Sequence, residues 1–223
     1  MLQEKIKIEV WSDIVCPFCY LGKRKLNRAL DRLGLLNKAD IIWHSYQLDP
    51  DFPMNKSISS LQYLMEKKHY PQGQIEGMHQ YLTEQGKLYG IDFQFDKALT
   101  FNTYNAHRLW QWSKNSGKSN EFKEAVFLAY FTEGTDLSDN ENLLNIITGI
   151  GLDRSAAEKI LNSDSYEQEI EIDKYQARQL GIRGVPYFLI DDKTEISGAQ
   201  DDRVFESVLS SSFRLVQHYG QLN

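Results

Sequence analysis

The 223 residues hold 41 % hydrophobic side chains, enough for one sizeable core, and 25 Lys+Arg against 31 Asp+Glu, a formal charge of −6 with an isoelectric point near 5.4. With no surplus of cations to neutralise phosphates, the chain is not built for nucleic acid or an anionic membrane surface. Two cysteines are too few for a disulfide scaffold.

The first ten residues alternate charged and apolar side chains without a continuous hydrophobic run, unlike a signal peptide or a membrane span, so a cytoplasmic protein is expected. Ile6, Ile8 and Val10 alternate with Lys5, Lys7 and Glu9, a period of two that predicts a strand ending just before Trp11. From Pro17 the spacing turns helical, with Leu26, Ala29, Leu30 and Leu33 on one stripe and Gly34 placed to stop it. On that helix Lys23, Arg24 and Lys25 read as a solvated face. A second strand is predicted over 41–48, closed by Asp49-Pro50 and Pro53. Strand, helix and strand in this order form a parallel unit with a right-handed crossover.

Residues 57–177 show almost no strand pattern but repeated helix starts, among them the capping boxes Ser138-x-x-Glu141, Ser155-x-x-Glu158 and Ser165-x-x-Gln168. They are read as an all-helical insertion with turns at 134–139 and 149–153. Strand character returns over 185–190, and Asp191-Asp192 turns the chain into an antiparallel partner at 194–196. Behind Asp201 and Asp202 the last helix presents Val204, Phe205, Val208, Leu209, Phe213, Leu215 and Val216 as a broad apolar stripe. The expected architecture is α/β, with one domain formed by 1–56 and 178–223 and split by the helical insertion 57–177.

Both cysteines lie in Cys16-Pro17-Phe18-Cys19. Proline fits the first helical turn, where its missing N–H costs nothing, and this puts Cys16 at the cap. Free amides and the positive end of the helix dipole favour an anion there, which predicts an acidified, nucleophilic Cys16. Cys19, one turn on and within disulfide reach, is the natural resolving thiol. A zinc site lacks a second cysteine pair, with only scattered His44, His69, His79, His107 and His218 to help. Two buried structural thiols are the other alternative, and neither explains Pro17.

In Gly184-Val185-Pro186-Tyr187 a proline stands at the entrance of an apolar strand, where its missing donor costs a ladder bond. A cis Val185–Pro186 bond would turn the Val185 backbone toward a neighbouring site; a trans proline at a plain strand start is the alternative. Two readings stand for Asn102 and His107 as well: they line a pocket between insertion and redox domain, or Asn102 caps a helix and His107 is simply packed. Asp13 is either a proton acceptor near Cys16 or a turn residue, and Asp201 either a ligand for an amino group or a helix start.

The motifs Trp11-Ser12-Asp13, Cys16-Pro17-Phe18-Cys19-Tyr20-Leu21-Gly22, Asn102-Thr103 with Ala106-His107-Arg108-Leu109, Gly181-Ile182-Arg183-Gly184-Val185-Pro186 and Ile196-Ser197-Gly198-Ala199-Gln200, taken together, resemble the DsbA-like branch of the thioredoxin superfamily, and within it the FrnE-type oxidoreductases. The resemblance covers nearly the whole chain. It implies a thioredoxin-like fold and thiol–disulfide exchange, with Cys16 as nucleophile, Cys19 as resolving thiol and Pro186 as the cis-proline. It further implies substrate contacts at Pro17, Phe18 and Val185, whose backbone pairs with a bound peptide or glutathione. No metal or organic cofactor is implied, and the partners are protein thiols and disulfides or glutathione. Kappa-class glutathione transferases and hydroxychromene-carboxylate isomerases, in the same branch, carry serine where Cys16 stands. A glutathione-dependent transferase or isomerase is thus the alternative enzyme, and a binding module with structural cysteines the non-enzymatic one. Cys-Pro-Phe-Cys also resembles the glutaredoxin motif, which keeps glutathione open as reductant.

Overall fold

The alternating N-terminal residues form β1 (Ile6–Ser12), with Ile6, Ile8 and Val10 fully buried. In the computed structural model, which describes residues 5–54 and 56–220, β1 feeds a short turn and then α1 (Pro17–Arg32), with Pro17 at its start. Gly34, at a φ of +65°, supplies the left-handed residue that stops the helix. The chain returns as β2 (Ala39–Ser45), parallel to β1 and in register from Ile6 opposite Ala39 to Ser12 opposite Ser45. This strand ends before the expected residue 48 because the chain turns to other acceptors. The Tyr46 amide donates to the Ser12 carbonyl, and the Leu48 amide to the Asp13 carboxylate.

The insertion contains a two-stranded ribbon that the all-helical expectation lacked: β3 (Ser57–Ser59) pairs antiparallel with β4 (Leu99–Phe101). Strands of three residues are too short for a period of two to show. Between them lie α2 (Ser60–Glu66) and α3 (Gln72–Leu88). Then come α4 (Tyr104–Lys114), α5 (Ser119–Leu128) and a π-helical turn at Ala129–Glu133. α6 (Asn140–Gly149), α7 (Arg154–Leu161) and α8 (Glu167–Gln179) complete the insertion. The helix starts expected at serines are displaced. Asp139 and Asp153 cap α6 and α7 through their carboxylates, which serve several amides better than a hydroxyl, and Tyr166 precedes α8 in a left-handed conformation.

β5 (Tyr187–Ile190) and β6 (Thr194–Ser197) form the expected hairpin, with Asp191 and Asp192 both at positive φ in the turn. β5 lies antiparallel to β1, giving the order β2-β1-β5-β6. The final helix is α9 (Asp202–Gly220).

Ile6, Ile8, Val10 and Phe188 pack with Leu26, Ala29 and Leu30 of α1 and with Phe205 and Leu209 of α9. Trp11, Tyr187 and Leu189 form a second cluster with Ala177 of α8 and Ile182 after it. The boundary expected at 177/178 therefore falls inside a helix that covers the sheet: Asp173 of α8 accepts from the Ser45 amide of β2 at 2.7 Å. In α9, Val204 is 38 % exposed and lies off the buried stripe, while Leu215 and Val216 lie outside the described side chains.

The cluster Lys23-Arg24-Lys25 is not a solvated face. Lys23 and Arg24 both bind Glu124 of α5, and Lys25 donates to the carbonyls of Ala199 and Gln200 at 3.1 and 3.0 Å. Long aliphatic stems let these cations cross the helix seam while their heads find anionic or carbonyl partners. Among the described residues no helix is long and apolar enough to cross a membrane.

Candidate active site

β1, an inner strand of the sheet, delivers the chain at its carboxyl end, and Cys16 caps α1 with extended dihedrals (φ −92°, ψ 110°) and no side-chain cap of its own. Its carbonyl accepts from the Cys19 amide at 3.0 Å, closing the first helical turn. Both thiols are free and buried. Cys16 lines a cavity of about 460 Å³; Cys19, 1 % exposed, is not among the cavity-lining residues and sits behind it.

Opposite the helix end, the Val185–Pro186 bond is cis, and the Cys16 Sγ donates to the Val185 carbonyl at 3.4 Å. Gly22 makes this closeness feasible. A Cβ there would lie 3.0 Å from Cγ of Pro186 and 3.1 Å from Cζ of Phe188, so the absence of a side chain lets α1 settle on the loop.

The expected acidification of Cys16 does not describe this closed pair. Its thiol is pushed well up, first by the hydrogen bond with the Cys19 sulfur, then by burial and by the charge Cys19 can carry; only the Cys19 amide pulls the other way. A helix end favours an anion, but burial and a neighbouring sulfur favour the neutral thiol of Cys16 and outweigh it here. Access distinguishes them: only one lines the cavity.

Pro17 and Phe18 line the cavity beside Cys16, joined by apolar side chains of the insertion, among them Leu64, Ile75, Met78 and Phe131. His79 stacks flat on Phe95 at 4.1 Å, and burial pushes its imidazole down, toward the neutral form. Polar groups enter at Asp49, which accepts from Tyr63 at 2.6 Å, and at Lys68, 5.4 Å from the Tyr63 ring centroid. A wide apolar wall with a few polar groups suits a small organic group or a peptide side chain.

Asn102 and His107 lie behind this cavity rather than in its lining. Asn102 bridges loop and helix, donating to the Pro50 and Phe52 carbonyls and accepting from the Tyr104 amide at 3.0 Å. His107 is fully buried with its Nε2 3.0 Å from Asp13. Asp13, which lines the cavity, accepts from the Ile14 and Leu48 amides at 2.7 Å each. It fixes the turn before Cys16 and the loop carrying Leu48 and Asp49. Asp201 opens α9 by accepting from the Arg203 amide at 3.0 Å.

The wall residues on α2 and α3 and around Phe95 were not foreseen, because apolar positions on helices look the same whether they face a core or a cavity. The π-helical turn that sets Tyr130 and Phe131 on the wall leaves no residue signature either, although such turns recur at functional sites. Among the described residues no cluster of metal-ligating side chains is present.

A family model described as DSBA-like thioredoxin domain matches residues 7–210. The chain is 27 % identical over 212 residues to YwbO of Bacillus subtilis (strain 168), described as uncharacterized, covering 92 % of this chain and 96 % of that one. A crystal structure from Streptomyces coelicolor, described as the probable DsbA oxidoreductase SCO1869, superposes with a TM-score of 0.89 at 28 % identity, covering 93 % and 90 % of the two chains. A 2-hydroxychromene-2-carboxylate isomerase superposes with a TM-score of 0.71 at 20 % identity, covering 97 % and 99 %, a likeness of fold.

Proposed function

Because the chain belongs to the DSBA-like thioredoxin domain family, we propose that it is a thiol–disulfide oxidoreductase of the FrnE type, acting in the cytoplasm through Cys16 and Cys19. The observation that carries the reading is the placement of one sulfur, Cys16, at a helix N-terminus on the wall of a cavity, with the second sulfur buried one turn behind it and the Val185 carbonyl in front.

The Cys16 thiolate attacks a substrate disulfide R–S–S–R′. A bond forms between Cys16 and the R sulfur, and R′–S⁻ leaves and takes a proton from water. Cys19 then attacks the Cys16 sulfur, the Cys16–Cys19 bond forms, and R–S⁻ is released to be protonated in turn. The dithiol has lost two electrons and the substrate has gained them. Two glutathione thiols restore the dithiol and leave as glutathione disulfide. The Val185 backbone and the cis-proline loop hold the substrate strand across the sulfur, while Pro17 and Phe18 contact the group next to it. Protein disulfides and glutathione conjugates are the substrate classes. Asn102 and His107 support this site from behind.

Glutathione-driven reduction of a protein disulfide by the whole chain tests the reading. Catalysed turnover that falls to the uncatalysed rate in Cys16→Ser is expected. Absence of turnover in the unaltered protein would overturn it. The apolar cavity also fits a small aromatic substrate, as the transferase or isomerase alternative requires; glutathione-dependent turnover of such a compound that persists in Cys16→Ser would favour that alternative.

A further inference from the structure

Cys16 has three different surroundings. In one direction it lines the cavity, together with Pro17 and Phe18; in another its Sγ is 3.4 Å from the Val185 carbonyl, and neither Val185 nor Pro186 belongs to the cavity lining. Cys19 is buried behind the wall and is also outside that lining. A substrate disulfide has two halves, and this arrangement decides which of them the protein keeps.

The cavity is built for an apolar half. Ile75, Ala98, Phe101 and Phe131 are buried side chains on its wall, and His79 stacks within 4° of parallel on Phe95, which stacks in turn on Phe93 at 5.0 Å. The two wall carboxylates are already engaged, Asp13 by the Ile14 and Leu48 amides and His107, Asp49 by the Tyr63 hydroxyl. Lys68 is the single lysine or arginine among the lining residues. The volume of about 460 Å³ is roughly three times the ~150 Å³ in which a benzene fits, so an aromatic ring with its thiol-bearing chain enters whole. Glutathione is a poor match. Its two carboxylates and its ammonium would lose water against this wall with one lysine to answer them.

The direction of attack then assigns the half. A thiolate displaces a sulfur along the extension of the bond that breaks, so when Cys19 attacks the Cys16 sulfur, the retained half must depart on the side opposite Cys19. Cys19 lies behind the wall that Cys16 forms, and the side opposite is the cavity. The group seated in the cavity is therefore the one bonded to Cys16.

We propose that the cavity decides which half of an unsymmetrical disulfide is captured: Cys16 takes the sulfur that carries an aromatic group, and glutathione is the half expelled. The proposal rests on the exchange reading above and names its substrate class, glutathione mixed disulfides of thiols that bear an aromatic ring. With R–S–S–G, where R is the aromatic half, the Cys16 thiolate bonds to the R sulfur. The S–S bond breaks, and its electron pair leaves on G–S⁻, which takes a proton from water. Cys19 gives its proton to water and attacks the Cys16 sulfur; the Cys16–Cys19 bond forms, and R–S⁻ departs to be protonated. The substrate has gained the two electrons that the dithiol lost, and two glutathione thiols return them.

The test uses Cys19→Ala protein, which stops after capture. It is mixed with the mixed disulfide of glutathione and 2-phenylethanethiol, quenched with acid and weighed intact, so the mass shows which half Cys16 holds. The same reaction with the chain unfolded in guanidinium gives the intrinsic ratio of the two adducts. The folded protein should favour the phenylethyl adduct by about tenfold or more over that ratio, as burial of a ring implies. Adducts in the unfolded-chain ratio would overturn the proposal alone, whereas absence of any adduct would overturn the exchange reading with it. Met78→Glu, which sets a carboxylate on the wall, should bring the ratio back to the intrinsic one, and an unmoved ratio would contradict the proposal. Should that variant fail to fold, naphthalene-2-methanol, a neutral aromatic without sulfur, should lower the ratio by competition; no effect at saturating amounts would count against the cavity in the same way. Glutathione mixed disulfides of blocked Cys-Phe and Cys-Ser dipeptides separate the two sources of a ring. An excess with either the free thiol or the Cys-Phe peptide upholds the proposal, and the larger excess identifies the source; intrinsic ratios with both would overturn it.

Discussion

The two sulfurs stand three residues apart on one helix and face opposite environments. On the Cys16 side the surroundings are a cavity, a backbone carbonyl at 3.4 Å and a loop set by the cis Val185–Pro186 bond. On the Cys19 side they are a closed seam, where Tyr20, Lys23 and Arg24 converge on Glu124 and an aromatic box holds Lys123. The difference teaches that the order of attack is set by access: both sulfurs are buried, but only Cys16 lines the cavity.

Removing one sulfur at a time breaks the comparison most sharply. Cys16→Ser should abolish exchange, while Cys19→Ser should still react once and then stall as a mixed disulfide, measured as bound substrate per chain. In Cys19→Ala the largest influence pushing Cys16 up is gone, so the pH midpoint of Cys16 alkylation should fall by roughly one unit or more.

Smaller effects come from the contacts that hold the two sides in place. Glu124→Gln leaves Lys23, 5 % exposed, without its anion and should cost about 1–3 kcal/mol, read as a lower denaturant midpoint; the partial exposure of Glu124 keeps the loss below that of a fully buried pair. On the cavity side, Gly22→Ala forces a methyl against Pro186 and Phe188 and should cost about 1–2 kcal/mol, with exchange slowed more than stability alone explains.

The sheet beneath both sulfurs gives an acid limit. Burial opposes the charge of Asp173, but His44, Lys114 and the Ser45 amide together hold its carboxyl below the ordinary aspartate range. A carboxyl lowered in the folded state contributes stability that is complete above its unfolded value, about pH 3.9, and is lost as pH falls from there through the folded value. Thermal unfolding should therefore show a drop below about pH 4 that is smaller in Asp173→Asn.

What the sequence shows of this molecule follows the range over which each feature is determined. The alternation of Ile6, Ile8 and Val10, the proline after Cys16 and the Asp191-Asp192 turn act within a few residues, so strand, helix start and hairpin are legible. The cavity wall is not, because Met78, Phe95 and Phe131 have the composition of a core and become a wall only where α3 and the chain around Phe95 leave space. Lys123 is harder still. Between Phe122 and Glu124 it looks like a solvated helix position, and its box is completed by Trp43 from β2 and Trp110 from α4. The same holds for Lys23 and Lys25, whose partners lie about a hundred residues or more away in the chain. Asn102 and His107 were legible as residues with a role, but the role is support of the Asp13 turn and its loop.

The most direct test of the division between the two sulfurs is to expose Cys19→Ser and Cys16→Ser proteins separately to glutathione disulfide, quench with acid and map the adducts by mass. Rapid modification of Cys16 in the first protein and slow modification of Cys19 in the second are expected. Equal rates, or faster modification of Cys19, would contradict the account.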